Sequence, residues 1–247
     1  MSRLKDEALV VILAGGQGTR IRSVYPDIPK PMITCQGRPF IDAVIRYFMS
    51  QGLHQFVIAL GYLAEVAEDY FLHQRPDDGA EILLVQETEA LGTGGGIRHA
   101  LNSAPPGAAF VATNGDSLVL ADLDPVWSLL ENPAVDGLII GCSVDDTRRY
   151  GTLDIGPDGM LVGFREKQNG RGVINAGVYI LKSYVLEDFP DQIPLSMEHD
   201  VFPILLQRGR RLLVLPTDAP FVDIGTQESL RAAESFLDEH LPAGDGP

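Results

Sequence analysis

Ala8-Leu9-Val10-Val11-Ile12-Leu13-Ala14 is an unbroken apolar run rich in β-branched residues, and Gly15-Gly16-Gln17-Gly18-Thr19-Arg20 follows it directly. A short run with no polar alternation reads as a strand covered on both faces, the signature of a parallel sheet. The glycines after it let the backbone come close to a ligand and turn its N–H groups toward an anion. Outward from this stretch, strands and helices alternate. Helical periodicity marks 40–49, with Phe40, Val44, Ile45 and Phe48 on one face, then 63–72 and 95–101; strands are expected at 55–60, 81–85 and 108–112. Asp124-Pro125 opens another helix, with Asp124 as its cap. Right-handed βαβ units follow from this order, and ligands then bind at the carboxyl ends of the strands.

The pattern changes after about residue 137. Strands are expected at 138–144, 152–155, 160–164 and 173–181, with a hairpin across Gly156-Pro157-Asp158-Gly159. A helix over 198–208 should be disturbed by Pro203, short strands follow at 212–215 and 221–222, and a closing helix covers 226–238. The fold class is therefore α/β: a mostly parallel Rossmann-like sheet flanked by helices, with a smaller antiparallel lobe over the cleft. Residues 1–241 form one domain and 242–247 a flexible tail. Leu230, Phe236 and Leu237 of the closing helix read as core, with a homodimer contact as the alternative.

Composition narrows the functions. The chain has 247 residues, 45% hydrophobic, and a formal net charge of −15. That charge argues against a nucleic-acid surface, which needs clustered Lys and Arg. It leaves room for a small phosphate ligand held by a few converging cations. No apolar run reaches the roughly 18 residues of a membrane span. The charged start at 1–7 is followed by no small-residue cleavage site, so the reading is cytoplasmic. Cys35 and Cys142 are too few for a disulfide framework or a zinc site.

Pro29-Lys30-Pro31 lies a short loop after the glycines. The two prolines restrict the backbone around Lys30, and Arg20 offers a planar fork to phosphate oxygens. Two cations on a loop with free N–H groups suit a polyphosphate. Three other motifs fail. Gly16-x-Gly18-x-x is followed by Ile21 rather than the last dinucleotide glycine, which counts against an NAD-dependent oxidoreductase, and no P-loop run exists. Gly115-Asp116-Ser117-Leu118 spells an esterase motif, but no histidine has an Asp three residues before it.

The stretch from Leu13 to Pro31 resembles the nucleotide-binding loop of the sugar-phosphate nucleotidyltransferases, or NDP-sugar pyrophosphorylases: Leu-Ala-Gly-Gly-x-Gly-Thr-Arg-Leu, then Pro-Lys-Pro. Ile21 replaces the last Leu, and the likeness runs from about Val10 to Leu230. The resemblance implies a nucleotide bound by Leu13, Ala14, Gly15, Gly16, Gly18 and Thr19, and by Gln86, Gly92 and Thr93 around base and ribose. Gln86 can both donate and accept, as base recognition needs. Asp116 ends a strand across from the phosphate loop, a natural Mg2+ position, and the resemblance makes Asp116 and Asp223 the metal pair. It further places Gly151, Glu166, Lys167 and Asn175 around the sugar phosphate, with Lys167 on its phosphate. Arg20, Lys30, Asp116 and Lys167 are then the catalytic set. The substrates implied are a nucleoside triphosphate and a sugar 1-phosphate, with no membrane or nucleic-acid partner. Ser196-Met197-Glu198-His199-Asp200-Val201-Phe202-Pro203 is similar to a segment of the bacterial heptose 1-phosphate guanylyltransferase branch. That favours GTP and D-glycero-D-manno-heptose 1-phosphate. UTP with N-acetylmuramate 1-phosphate, GTP with mannose 1-phosphate, and a catalytically silent sugar-nucleotide sensor are the alternatives.

Overall fold

A computed structural model describes residues 2–16, 18, 21–74, 79–148, 151–165 and 170–241. The chain starts with a short helix, α1 (Arg3–Asp6), and the apolar run forms β1 (Leu9–Ala14). A small ribbon follows, β2 (Thr34–Cys35) with β3 (Arg38–Pro39). Then come α2 (Phe40–Ser50), β4 (Gln55–Leu60), α3 (Ala64–His73), β5 (Glu81–Gln86), α4 (Gly92–Asn102) and β6 (Ala109–Asn114). The second half holds β7 (Ser117–Val119), α5 (Asp124–Leu130), β8 (Gly137–Val144), β9 (Thr152–Ile155), β10 (Leu161–Arg165) and β11 (Gly172–Lys182). It closes with α6 (Phe202–Gln207), β12 (Leu212–Thr217), β13 (Phe221–Asp223) and α7 (Gln227–His240).

Among the described residues one nine-stranded sheet runs β10-β9-β11-β6-β1-β4-β5, with β8 joined to β11 and β12 to β8. Strands β6, β1, β4 and β5 are parallel. The antiparallel part is present as expected, and it shares this sheet: β11 pairs with β6 on one side and β8 on the other. Alternation along β1 explains the layering. Val10, Ile12 and Ala14 point into a core with α2, α5 and α7, while Leu9 and Val11 point into a second core with α4 and α6. The four predicted apolar positions of α2 are all buried, as are Leu230 and Leu237 of α7, in keeping with its core reading.

Three local expectations change. Helix α4 begins at Gly92, three residues early, because Gly94 and Gly95 donate to the Leu195 carbonyl at 2.7 and 3.3 Å, and that segment packs where side chains would stand. Tertiary contact here outweighs the poor helix propensity of glycine. Pro203 does not break a helix. A π-helical turn covers Met197–Val201, and Pro203 sits in the first turn of α6, where its missing N–H matters least. Helix α5 starts at Asp124, whose amide is taken by the Asp122 carboxylate at 3.0 Å, so the acid serving its start is Asp122.

Candidate active site

The site lies at the carboxyl ends of β6, β1, β4 and β5, beside the Asn175–Val178 stretch of the antiparallel β11. Beyond β1 the chain makes a loop in which Gly18 takes φ +56°, a left-handed conformation suited to glycine. Gly16 has a different character. Its φ is unremarkable, and a side chain there would meet no atom of the described residues beyond its chain neighbours within 4 Å. Packing among the described residues does not require a glycine at that position, whereas close approach of a ligand would. Gly151 is similar: its nearest foreign neighbour would be the Arg165 carbonyl at 3.8 Å.

Lys30 opens a 3-10 turn, Lys30–Met32, after Pro29. Its stem runs beside Gly18, and Pro31 packs on Gly115. The Gly115 amide donates to the Leu13 carbonyl at 2.9 Å, which fastens the turn after β6 to the end of β1. These contacts bring two distant segments together, and the Lys30 ammonium donates to Asp116 Oδ2 at 2.5 Å. The Lys30 side chain is 10% exposed and that of Asp116 33%. The ammonium is thus largely out of water, and the carboxylate still reaches the cleft. Asp223 arrives from the far end of the chain. It pairs with Ser117 in the β13–β7 ladder, and the Ile224 amide donates to the Asp116 carbonyl at 3.0 Å. The Asp223 carboxylate accepts from the Gly225 amide at 2.8 Å. The N-cap of α7 is Thr226, in a capping box with Ser229.

On the sugar side, β11 carries a bulge between Asn175 and Val178. Gly177 takes φ +74° within it and lies directly against the Asn114 side chain. The Asn175 amide nitrogen donates to Tyr179 Oη at 2.7 Å and to Glu198 Oε1 at 2.5 Å, while its oxygen accepts from the Gly177 amide at 3.0 Å. Asn175 therefore fixes the bulge and the Glu198 carboxylate together. Burial, with Glu198 nearby, pushes the Tyr179 hydroxyl far above its usual range, so it stays neutral. Gly92 and Thr93 lie exposed at the start of α4, where the Thr93 hydroxyl accepts from the Met197 amide at 2.9 Å. Gln86 is exposed at the end of β5. Thr19, Arg20, Glu166, Lys167 and the 242–247 tail lie outside the described residues.

Sequence reasoning passed over Glu87. Its carboxylate lies 3.1–3.2 Å from where a side chain on Gly15 would begin, and it also faces Gly96 of α4. Half-burial raises its pKa, offset in part by the Leu91 amide and by His99. Arg22 was also missed. Its guanidinium stacks over Tyr62 at 4.5 Å, and the Tyr62 amide donates to the Gly15 carbonyl at 3.3 Å.

A glycine loop, a largely buried cation paired with Asp116, and a strand carrying Asp223 that is hydrogen-bonded to the Asp116 backbone lie together at this edge of the sheet, and the nucleotidyl transferase family profile matches residues 9–240. The chain belongs to that family. It is 33% identical to a D-glycero-alpha-D-manno-heptose 1-phosphate guanylyltransferase of Aneurinibacillus thermoaerophilus, over 94% of this chain and 99% of the relative. A protein of the same name from Campylobacter jejuni is also 33% identical, over 88% and 95%. The crystal structure of HddC from Yersinia pseudotuberculosis complexed with GMP-PN superposes with a TM-score of 0.82 at 35% identity, covering 93% of this chain and 99% of that one. Family members work with a divalent metal ion, and the donor set here fits one. No group of three or more acidic, His or Cys side chains placed to hold a metal ion occurs among the described residues. Two carboxylates that leave the other positions to substrate oxygens are what magnesium takes. Among the described residues no helix is long and apolar enough to cross a membrane.

Proposed function

We propose that this nucleotidyltransferase joins GTP to D-glycero-D-manno-heptose 1-phosphate, releasing pyrophosphate and forming GDP-heptose. The observation that carries the chemistry is the Lys30–Asp116 pair at 2.5 Å beside Asp223, at the mouth of a glycine loop. The choice of base and sugar is supported by the two near-full-length guanylyltransferase relatives.

An oxygen of the sugar 1-phosphate attacks the α-phosphorus in line. A new P–O bond forms, the bond to the β-phosphate oxygen breaks, and pyrophosphate takes the electron pair. No protein nucleophile is needed, because such transfers depend on positioning and charge neutralisation. Lys167 holds the attacking phosphate, and Glu166 accepts from sugar hydroxyls. Arg20 and Lys30 neutralise the leaving side. Lys30 suits that task because its ammonium is already desolvated, so its attraction for phosphate oxygens is little weakened by water. Gly15, Gly16 and Gly18 admit the phosphates to the loop backbone, and Gly151 admits the sugar ring. Asp116 and Asp223 would hold Mg2+, which when bound adds positive charge shared by the phosphates.

Pyrophosphate release across GTP, UTP, ATP and CTP, each with heptose, mannose and N-acetylmuramate 1-phosphates, tests the reading. GTP with the heptose phosphate should give the highest kcat/KM. A higher value for mannose 1-phosphate would move the assignment to mannose-1-phosphate guanylyltransferase. A relative of that name in Mycobacterium tuberculosis is 32% identical, and the match spans 61% of its length.

A further inference from the structure

Glycine backbone is free to move, so a polyphosphate bound on the loop after β1 must order it unless another segment has done so first. One residue outside that loop touches it at its start, its middle and its end. Tyr62 lies two residues past β4. Its amide donates to the Gly15 carbonyl at 3.3 Å, its ring lies against the Arg22 guanidinium at 4.5 Å, and its hydroxyl donates to the Pro26 carbonyl at 3.1 Å. Gly61 lets the turn come this close, since a β-carbon there would stand 2.8 Å from the Gly15 Cα and carbonyl oxygen. Leu63 completes the turn at φ +55°, a left-handed conformation that is costly for a residue with a β-carbon, and α3 starts directly after it. A bulky residue keeps such a conformation only where its surroundings enforce it. Here the enforced turn is the one that sets Tyr62 on the loop.

We propose that Tyr62 is a positioning residue for the nucleotide's phosphates, holding the loop after β1 in its binding shape before the nucleotide arrives. It acts through the loop and touches no reacting atom. Its backbone fixes the start of the loop at Gly15, and its side chain fixes Arg22 and Pro26 against the same residue. Within the loop, the Ile21 and Arg22 amides both donate to the Gly18 carbonyl at 3.0 Å, and the Val24 and Tyr25 amides to the Ile21 carbonyl at 3.0 and 3.2 Å. Holding Arg22 therefore also steadies the turn that begins at Gly18. Donors set in place beforehand bind an anion without first giving up freedom of their own. This inference rests on nucleotidyl transfer as the reaction and on neither the base nor the sugar chosen above.

Amide hydrogen exchange and initial rates test it together, with the triphosphate and sugar 1-phosphate that wild type turns over fastest. Tyr62→Ala removes the stack and the hydroxyl bond and leaves the backbone bond to Gly15. Without nucleotide, the amides of Arg22, Val24 and Tyr25 should exchange about tenfold faster than in wild type, the range of one hydrogen bond and one exposed cation–π contact. The KM for the triphosphate should rise by about the same factor, because the nucleotide must now order the loop itself. The KM for the sugar 1-phosphate should stay within about twofold. Tyr62→Phe keeps the ring and drops only the hydroxyl, so both readouts should move by about threefold. It decides the matter should the Ala variant not fold. A Tyr62 that merely braced α3 would lower the melting temperature and leave loop exchange and the triphosphate KM at wild-type values, and that would overturn the inference. Equal rises in the KM of both substrates would overturn it too. No turnover by wild type with any pair would sink nucleotidyl transfer and this inference with it. Turnover by wild type, with the variants unchanged in both readouts, would sink only the role of Tyr62.

Discussion

Lys30 and Asp116 depend on each other unequally. The lysine is nearly buried and the aspartate a third exposed, so removing the acid strands a desolvated ammonium, while removing the ammonium leaves a carboxylate that water can reach. Both Lys30→Ala and Asp116→Ala should abolish NDP-sugar formation. By urea denaturation Asp116→Ala should cost about 1–3 kcal/mol more than Lys30→Ala. Equal losses would mean that the pair is more open than 2.5 Å and 10% exposure imply. The meeting of Lys30 with Asp116 was foreshadowed in the sequence, where prolines flank Lys30 and Asp116 ends a strand across from the glycine loop, whereas Asp223 was singled out by the family resemblance alone. Glu87 was not legible. Gln86 and Glu87 are adjacent polar residues after the same strand, and which of them turns toward Gly15 depends on where the loop after β1 folds back. No local pattern records that choice.

Elements were legible wherever burial alone sets the period. Strand β4 fell on its expected residues, and β1 and α2 shifted by a single residue, because continuous or 3.6-residue apolar spacing has one stable solution against two packed layers. The misses came where another segment supplied the deciding contact. The glycines of α4 look like a loop until Leu195 is placed on them, and the start of α6 looks broken until Pro203 is seen in its first turn. The bulge in β11 belongs to the same class. Gly177→Ala should cost about 1–2 kcal/mol, since φ +74° is strained for a residue with a β-carbon and Asn114 must also move. The same variant should lose activity, because Asn114 is two residues from Asp116; wild-type stability and turnover together would exclude this role for the bulge. Thr226→Ala should cost about 1 kcal/mol by thermal unfolding, through loss of the α7 cap three residues from Asp223.

Across the whole molecule, two cores on opposite faces of one sheet hold the strand ends in register, and the antiparallel strands extend that sheet beside the cleft. The cores were readable from the sequence; the joining of the two halves through β11 was not, because one eleven-residue strand pairs with different partners along its length. A buried acid braces the back of this assembly. Arg210 and Arg208 both bond to Asp188 and hold its carboxyl below the usual range, Arg210 contributing most. A depressed carboxyl pKa adds stability above the unfolded value of 3.8, and that stability is lost as pH falls through the lower folded value. Asp188→Asn should therefore flatten the loss of stability below about pH 4, measured by urea midpoints across pH; an unchanged acid limb would show that the cluster contributes little. At the scale of function, the central claim is that acids more than a hundred residues apart serve one metal-bound nucleotide. The most direct measurement is pyrophosphate release from GTP and D-glycero-D-manno-heptose 1-phosphate during a Mg2+ titration of wild type, Asp116→Ala and Asp223→Ala. Wild type should turn over only with added metal, and both variants should stay inactive at every concentration. Metal-independent turnover by wild type, or wild-type rates in either variant, would contradict it.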